Sequence, residues 1–77
     1  MNTIKIIEEL GKIEGCEDIA RDLTMIEVDY QRGILLKEER EILIHEIRDV
    51  RSAHECNENI VAFQAVIQLC NALLSKS

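Results

Sequence analysis

The segment from Ile60 to Leu74 constrains the fold more than any other part of the chain, because twelve of its fifteen residues are apolar. No charged residue lies between Glu58 and Lys76. A membrane-spanning helix needs roughly 20 apolar residues, so this segment is too short to cross a bilayer and no membrane partner is expected. We therefore predict a helix that is buried by the rest of the chain or by a second copy of it.

The composition of the remaining chain favours helices over strands. There is no proline, and there are only three glycines, one tyrosine and one phenylalanine, so the turn signals of a many-stranded protein are missing. A chain of 77 residues buries only about 60% of the surface that its unfolded form exposes. We predict one helical domain over residues 1–77, an all-α bundle of three to four helices that homodimerisation completes or extends.

Helical periodicity and the glycine positions divide the chain into four predicted helices, at about residues 3–14, 16–32, 37–54 and 57–75. Gly33 is expected just past the end of the second helix. The predicted core face of the third helix is a stripe of Leu36, Leu43, Ile47, Val50 and His54.

The boundary between the third and fourth helices is predicted from the register of this stripe. Continued at the same spacing, the stripe meets mostly polar residues beyond residue 56. This favours a turn, with Asn57 as the N-cap of the fourth helix, over the alternative of one helix from 37 to 75.

Met25 marks the first candidate contact surface. On a helical wheel it lies opposite the core stripe of the second helix, with Asp18, Asp22 and Asp29 on one flank. An apolar residue among acids can bind a partner, although a flexible methionine also fills gaps in a core. Partner binding through these four residues is a hypothesis.

Ile44 marks the second candidate contact surface, on the third helix. It lies off the predicted core stripe among four basic residues, Lys37, Arg40, Arg48 and Arg51. We call these five residues the basic strip. Such strips are often solvated faces with ion pairs between residues i and i+4. The other interpretation is a contact surface that complements the acidic Met25 surface of a second copy.

The fourth helix is predicted to mediate self-association. Its apolar line consists of Ile60, Phe63, Ile67, Cys70 and Leu74. The polar residues of the segment, Gln64, Gln68, Asn71 and Ser75, are expected to mark a narrow solvent side.

Residues that would carry catalysis or bind a metal do not form a recognisable pattern. The three cysteines lack the paired spacing of a zinc site, and His54 near Cys56 has no second pair of ligands. No glycine-rich phosphate loop or Ser, His and Asp series occurs. We expect no enzyme activity, no cofactor and no metal. The odd cysteine count and the lack of a secretory leader pattern predict a cytoplasmic protein.

The distribution of charge ranks three functional hypotheses. The formal net charge is −6, and residues 1–30 hold eight acids against three bases. The leading hypothesis is a small protein-interaction module, an inhibitor, adaptor or regulatory subunit that binds a protein partner through helix faces. The alternative is a phage or mobile-element accessory protein that mimics nucleic acid and blocks a DNA-binding enzyme. The third is a helical DNA-binding regulator that uses the basic strip, although an acidic chain is not expected to bind nucleic acid directly.

Overall fold

The structure, a computed structural model, describes residues 3–76. Within that range there are four helices and no strand, which confirms the predicted small all-α fold. Helix α1 spans Thr3–Leu10 and α2 spans Glu17–Gln31. Helix α3 begins as Lys37–Glu46, continues through a π-helical turn at Ile47–Arg51 and ends with an α-helical turn at Ser52–Glu55. Helix α4 spans Ile60–Ser75.

Glycines define the two connections on either side of α2. Gly15 and Gly33 have φ angles of 94° and 78°, in the left-handed region that side chains other than glycine rarely adopt. Gly33 follows α2, as predicted. The predicted end of the first helix at residue 14 is wrong, because α1 ends at Leu10 and residues 11–15 form turns.

Helices α3 and α4 are separate, with residues 56–59 between them. The N-cap of α4 is Asn59 rather than the predicted Asn57. Its side-chain oxygen accepts a hydrogen bond from the Ala62 N–H at 3.1 Å, and its amide donates to the Glu14 carbonyl at 3.3 Å. The second contact ties the α4 terminus to the connection between α1 and α2, which sequence spacing alone does not reveal.

The apolar core is built around α4, which contributes five of its buried residues. They are Ala62, Val66, Leu69, Cys70 and Leu73. In the predicted apolar line of α4, Cys70 is buried and Phe63 and Leu74 pack partly buried against the core, whereas Ile60 is 70% exposed. Ala62 is fully buried, and its carbonyl accepts a hydrogen bond from the Cys16 thiol at 3.9 Å. The four predicted solvent positions of α4 are exposed.

The predicted core face of α3 is correct at Ile47 and in part at Leu43, which packs against the core, but it is wrong at the other three positions. Leu36 and Val50 are 63% and 49% exposed, and His54 is exposed as well. The buried positions along α3 and just after it are Arg40, Ile44, Ile47, Ser52 and Cys56.

The π-helical turn explains why the predicted core positions after Ile47, which are Val50 and His54, are exposed. The buried positions follow helical steps of three or four residues, except for the five-residue step from Ile47 to Ser52. The Ser52 N–H bonds to the Ile47 carbonyl, which is the i to i+5 pattern of a π-helix. The inserted residue rotates the end of α3, and a prediction with constant helical spacing cannot include that rotation.

Candidate functional site

An open groove of about 360 Å³ lies between α2 and α3. We call it the α2–α3 groove. Its apolar lining consists of Met25 and Ile26 from α2, Leu35 from the connection, and Leu43 and Ile47 from α3. Ile34 and Leu36, which flank Leu35 in sequence, are more than 60% exposed.

The α3 wall of the groove lies at the edge of the core. Ile47 is buried and Leu43, from the predicted core stripe, is half-buried against the core, and both line the groove. Ile42 and Val50, beside lining residues of α3, are 66% and 49% exposed. Apolar surface of this kind on a small protein marks a candidate contact site.

A buried ion pair sets the rotation of α3. The Arg40 Nε atom lies 2.6 Å from Glu27 Oε1 of α2, and each side chain is only 5% exposed. Arg40 Nη2 also donates to the Leu73 carbonyl of α4 at 3.0 Å. Its guanidinium carbon lies 5.1 Å from the centre of the Tyr30 ring. Arg40 thus joins three helices, and Ile44, one turn further along α3, enters the core with it.

This arrangement corrects two predicted partner-binding residues. Arg40 is 4% exposed and Ile44 is 0% exposed, so neither lies on the surface. The sequence prediction places both residues off the core because they lie on the side of the third helix away from its predicted core stripe. A buried arginine is tolerated when its charge and its donors are matched. Among residues 3–76, no buried side-chain nitrogen or oxygen lacks a hydrogen-bond partner.

Arg48 and Arg51 of the basic strip are engaged within the chain. Arg48 donates to Asn71 of α4 at 2.9 Å and to Asp49 at 2.8 Å. The hydrogen bond from Arg48 lowers the pKa of the Asp49 carboxyl. Arg51 forms ion pairs with Glu55, at 2.6 Å, and with Asp22 of α2. Lys37 is exposed and has no ion pair with a described residue. The basic strip is therefore not a continuous exposed surface.

The acidic Met25 surface is divided between the groove and solvent. Met25 is 59% exposed and lines the groove with Asp22 and Asp29. Asp18 lies outside the groove and pairs with Arg21 at 2.6 Å. The position of Met25 off the core agrees with the sequence interpretation, and its role in binding stays a prediction.

Charge on the rim of the α2–α3 groove is acidic on both sides. Asp29 on α2 and Glu46 on α3 line it, and neither carboxylate forms an ion pair with any residue in the described range 3–76. Asp22 is neutralised by Arg51, whose pKa is raised by its hydrogen bonds to Glu55 and Asp22. The rim thus presents two unpaired carboxylates to whatever enters the groove.

The predicted self-association residues do not form one exposed face. Cys70 is fully buried, Phe63 and Leu74 are half-buried against the core of the same chain, and Ile67 is half-buried. Ile60 is the member of this set that remains exposed, next to the exposed Val61.

The three cysteines are buried and free. Burial is the largest cause of the raised pKa of Cys16 and of Cys70, each to about 11, so both thiols are protonated and weakly nucleophilic at neutral pH. In the part of the chain that the structure describes, no three His, Cys, Asp or Glu residues are grouped to hold a metal ion. None of the helices in that part has the length and apolar character required to cross a membrane.

Comparison with protein-family models, with curated proteins and with solved structures gives no match of any of the three kinds. The functional proposal therefore rests on the geometry of the chain itself.

Proposed function

We propose that this chain is a small protein-interaction module that binds a protein partner through the α2–α3 groove. The observation that carries the proposal is the open apolar groove, with exposed Met25 on the α2 wall and half-buried Leu43 on the α3 wall. An inhibitor, an adaptor or a regulatory subunit would each act through such a surface. The proposal includes a cytoplasmic setting, where buried cysteines remain reduced.

The apolar side chains around the groove are large enough to contribute useful binding energy. Full burial of one such side chain stabilises a complex by about 1.5–3 kcal/mol. Because Met25 is 59% exposed, covering the rest of it would contribute about 1–2 kcal/mol. This exceeds what a typical surface ion pair contributes, about 0–1 kcal/mol.

Photo-crosslinking from position 25 tests this proposal. A photoreactive methionine replaces Met25, and the labelled chain is irradiated in an extract of the source cell. The matched control carries the same group at Gln64, which is exposed on α4. We expect a discrete protein adduct from position 25 that excess unlabelled chain abolishes and excess Met25→Asp variant does not. No adduct, or equal adducts from both positions, would contradict the proposal.

The two nucleic-acid hypotheses receive less support from the side-chain contacts. A mimic needs exposed, unpaired carboxylates, whereas two of the three predicted aspartates, Asp18 and Asp22, are paired with arginines. A DNA-binding regulator needs exposed bases, whereas Arg40 is buried and Arg51 is paired. The dependence of partner affinity on salt concentration distinguishes these hypotheses from apolar groove binding, because contacts between exposed charges are screened at high ionic strength.

Homodimerisation is a separate proposal. Its support is the exposed pair Ile60 and Val61 at the start of α4. Sedimentation at micromolar concentration tests it, with Ile60→Ser as the variant expected to shift the equilibrium towards monomer. A monomer under these conditions before any substitution would refute the dimer and leave the groove proposal intact.

A further inference from the structure

We infer that the occupant of the α2–α3 groove is a positively charged amphipathic helix of a partner protein. This inference rests on the proposed function and adds the chemistry of the partner. It follows from the shape of the groove, from the charge of its rim and from the engagement of this chain's own arginines.

The groove follows two helices over a length that suits a helical segment. Its lining residues on α2 run from Asp22 to Asp29 at helical spacing, which corresponds to about 10 Å along the axis. An amphipathic helix presents apolar residues at positions i, i+3 or i+4, and i+7 over about two turns, which matches this distance. Met25 lies within this length, and its flexible side chain can adapt to the shape of the incoming residues.

The negative charge of the groove rim favours a partner segment with positive charge. Asp29 and Glu46 stand on opposite walls, and neither has an ion pair within residues 3–76. Lysine or arginine residues on both flanks of an apolar stripe would meet one carboxylate on each side. Acidic flanks would instead place like charges together, which lowers both affinity and association rate.

A second copy of this chain meets these requirements less well. Arg40 is buried, and Arg48 and Arg51 already contact side chains of the same chain, which leaves Lys37 as the residue of the basic strip that is exposed and has no ion pair with a described residue. The net charge of −6 would also oppose the approach of a second acidic rim. These features favour a different, basic protein segment over a second copy.

Two synthetic peptides test the inference on the complete chain. The first is an 18-residue helix, about five turns long, with leucines on one stripe and lysines elsewhere, and the second carries glutamates in place of the lysines. Fluorescence anisotropy at physiological salt measures binding of each labelled peptide. We expect saturable binding of the lysine peptide, at least about tenfold tighter than the glutamate peptide, because each rim ion pair changes affinity by about two- to fivefold and like charges oppose the glutamate peptide. No saturable binding of the lysine peptide, or equal binding of both, overturns the inference.

Two double variants with the same net charge test whether the rim carboxylates themselves bind the lysine peptide. The double variant Asp29→Lys with Glu46→Lys reverses the rim, and the control, Glu38→Lys with Glu58→Lys, makes the same change in net charge at exposed positions outside the groove. We expect the rim variant to weaken lysine-peptide binding by about fivefold or more relative to the control. Equal weakening by both variants would mean that only net charge matters, and it would overturn the inference.

Failure of the inference and failure of the proposed function give different results. If crosslinking from Met25 yields a specific adduct whose attached segment is acidic or neutral, the inference fails and the interaction function stands. If no adduct forms, the proposed function fails. Circular dichroism of each variant confirms that the helices are retained.

Discussion

Removing one partner of the Arg40–Glu27 ion pair should strongly destabilise the fold. Both side chains are 5% exposed and their nearest nitrogen and oxygen atoms are 2.6 Å apart. In Glu27→Ala, the guanidinium remains buried without its carboxylate, and such a change costs about 3–5 kcal/mol. A domain of this size has a total stability of about 4–12 kcal/mol, so much of that stability would be lost. The Leu73 carbonyl and the Tyr30 ring would still contact Arg40 and keep the loss towards the lower end.

The Asp18–Arg21 pair provides a matched control. Its atoms are also 2.6 Å apart, but its side chains are 68% and 69% exposed. Removal of a partner from an exposed pair costs about 0–1 kcal/mol, so Asp18→Ala should have a small effect. The two pairs share a distance and differ in burial, and their comparison therefore isolates the effect of burial.

Urea unfolding followed by circular dichroism measures both effects as changes in the free energy of unfolding. The double variant Glu27→Leu with Arg40→Met replaces the pair by apolar residues and should recover most of the loss, because it leaves no unmatched charge. If Glu27→Ala costs no more than Asp18→Ala, the pair is not buried. The account of the rotation of α3 would then be wrong.

Three further predictions follow from single contacts. Asn59→Ala should cost about 1 kcal/mol in the free energy of unfolding and Asn57→Ala almost nothing, and equal losses in urea unfolding would refute the assigned cap. Deletion of the exposed residue Asp49 should convert the π-helical turn into an α-helical one. The shortened chain should still fold and keep its helical circular dichroism, and loss of folding would contradict the presence of one inserted residue in α3. The raised pKa values of Cys16 and Cys70, each about 11 against an ordinary 9.0, favour the neutral thiols in the folded state. Their stabilising contribution should therefore be complete below about pH 9 and be lost as the pH rises towards 11, and a flat profile of unfolding free energy over that range would contradict it.

Local sequence signals predicted the number of helices and the approximate limits of α2 and α3. Gly33 marks the end of α2 because its left-handed conformation is incompatible with continued helix. Gln64 and Gln68 mark the exposed side of α4 because polar residues at helical spacing favour solvent. These features depend on residues that are close in sequence.

The faces of α3 and α4 could not be predicted because they depend on distant partners. Arg40 is buried only because Glu27, thirteen residues earlier, neutralises it. Ala62 is buried while Ile60 is exposed, and the Ala62 carbonyl contacts the thiol of Cys16, which lies 46 residues earlier. Neither contact leaves a periodic signal in the sequence.

The candidate site was only half visible in the sequence. The sequence pattern predicts that Met25 and Asp29 lie off the core. It also predicts partner binding by Ile44, which is wrong because Ile44 is buried. The sequence pattern predicts the stripe that contains Leu43 and Val50 as core. In the structure Leu43 lines the groove and Val50 is exposed. A stripe more apolar than the bundle can bury is also the pattern of a binding surface.

Methyl NMR during titration with the lysine peptide tests the central claim most directly. The reporters are the methyl groups of Met25 and Ile47 in the groove, with Ile7 in the core and Ile60 at the exposed start of α4 as controls. We predict that the two groove methyls shift with saturation and that those of Ile7 and Ile60 stay within the noise. Larger shifts at Ile60 than at Met25 would show that the binding surface lies on α4 and would contradict the account.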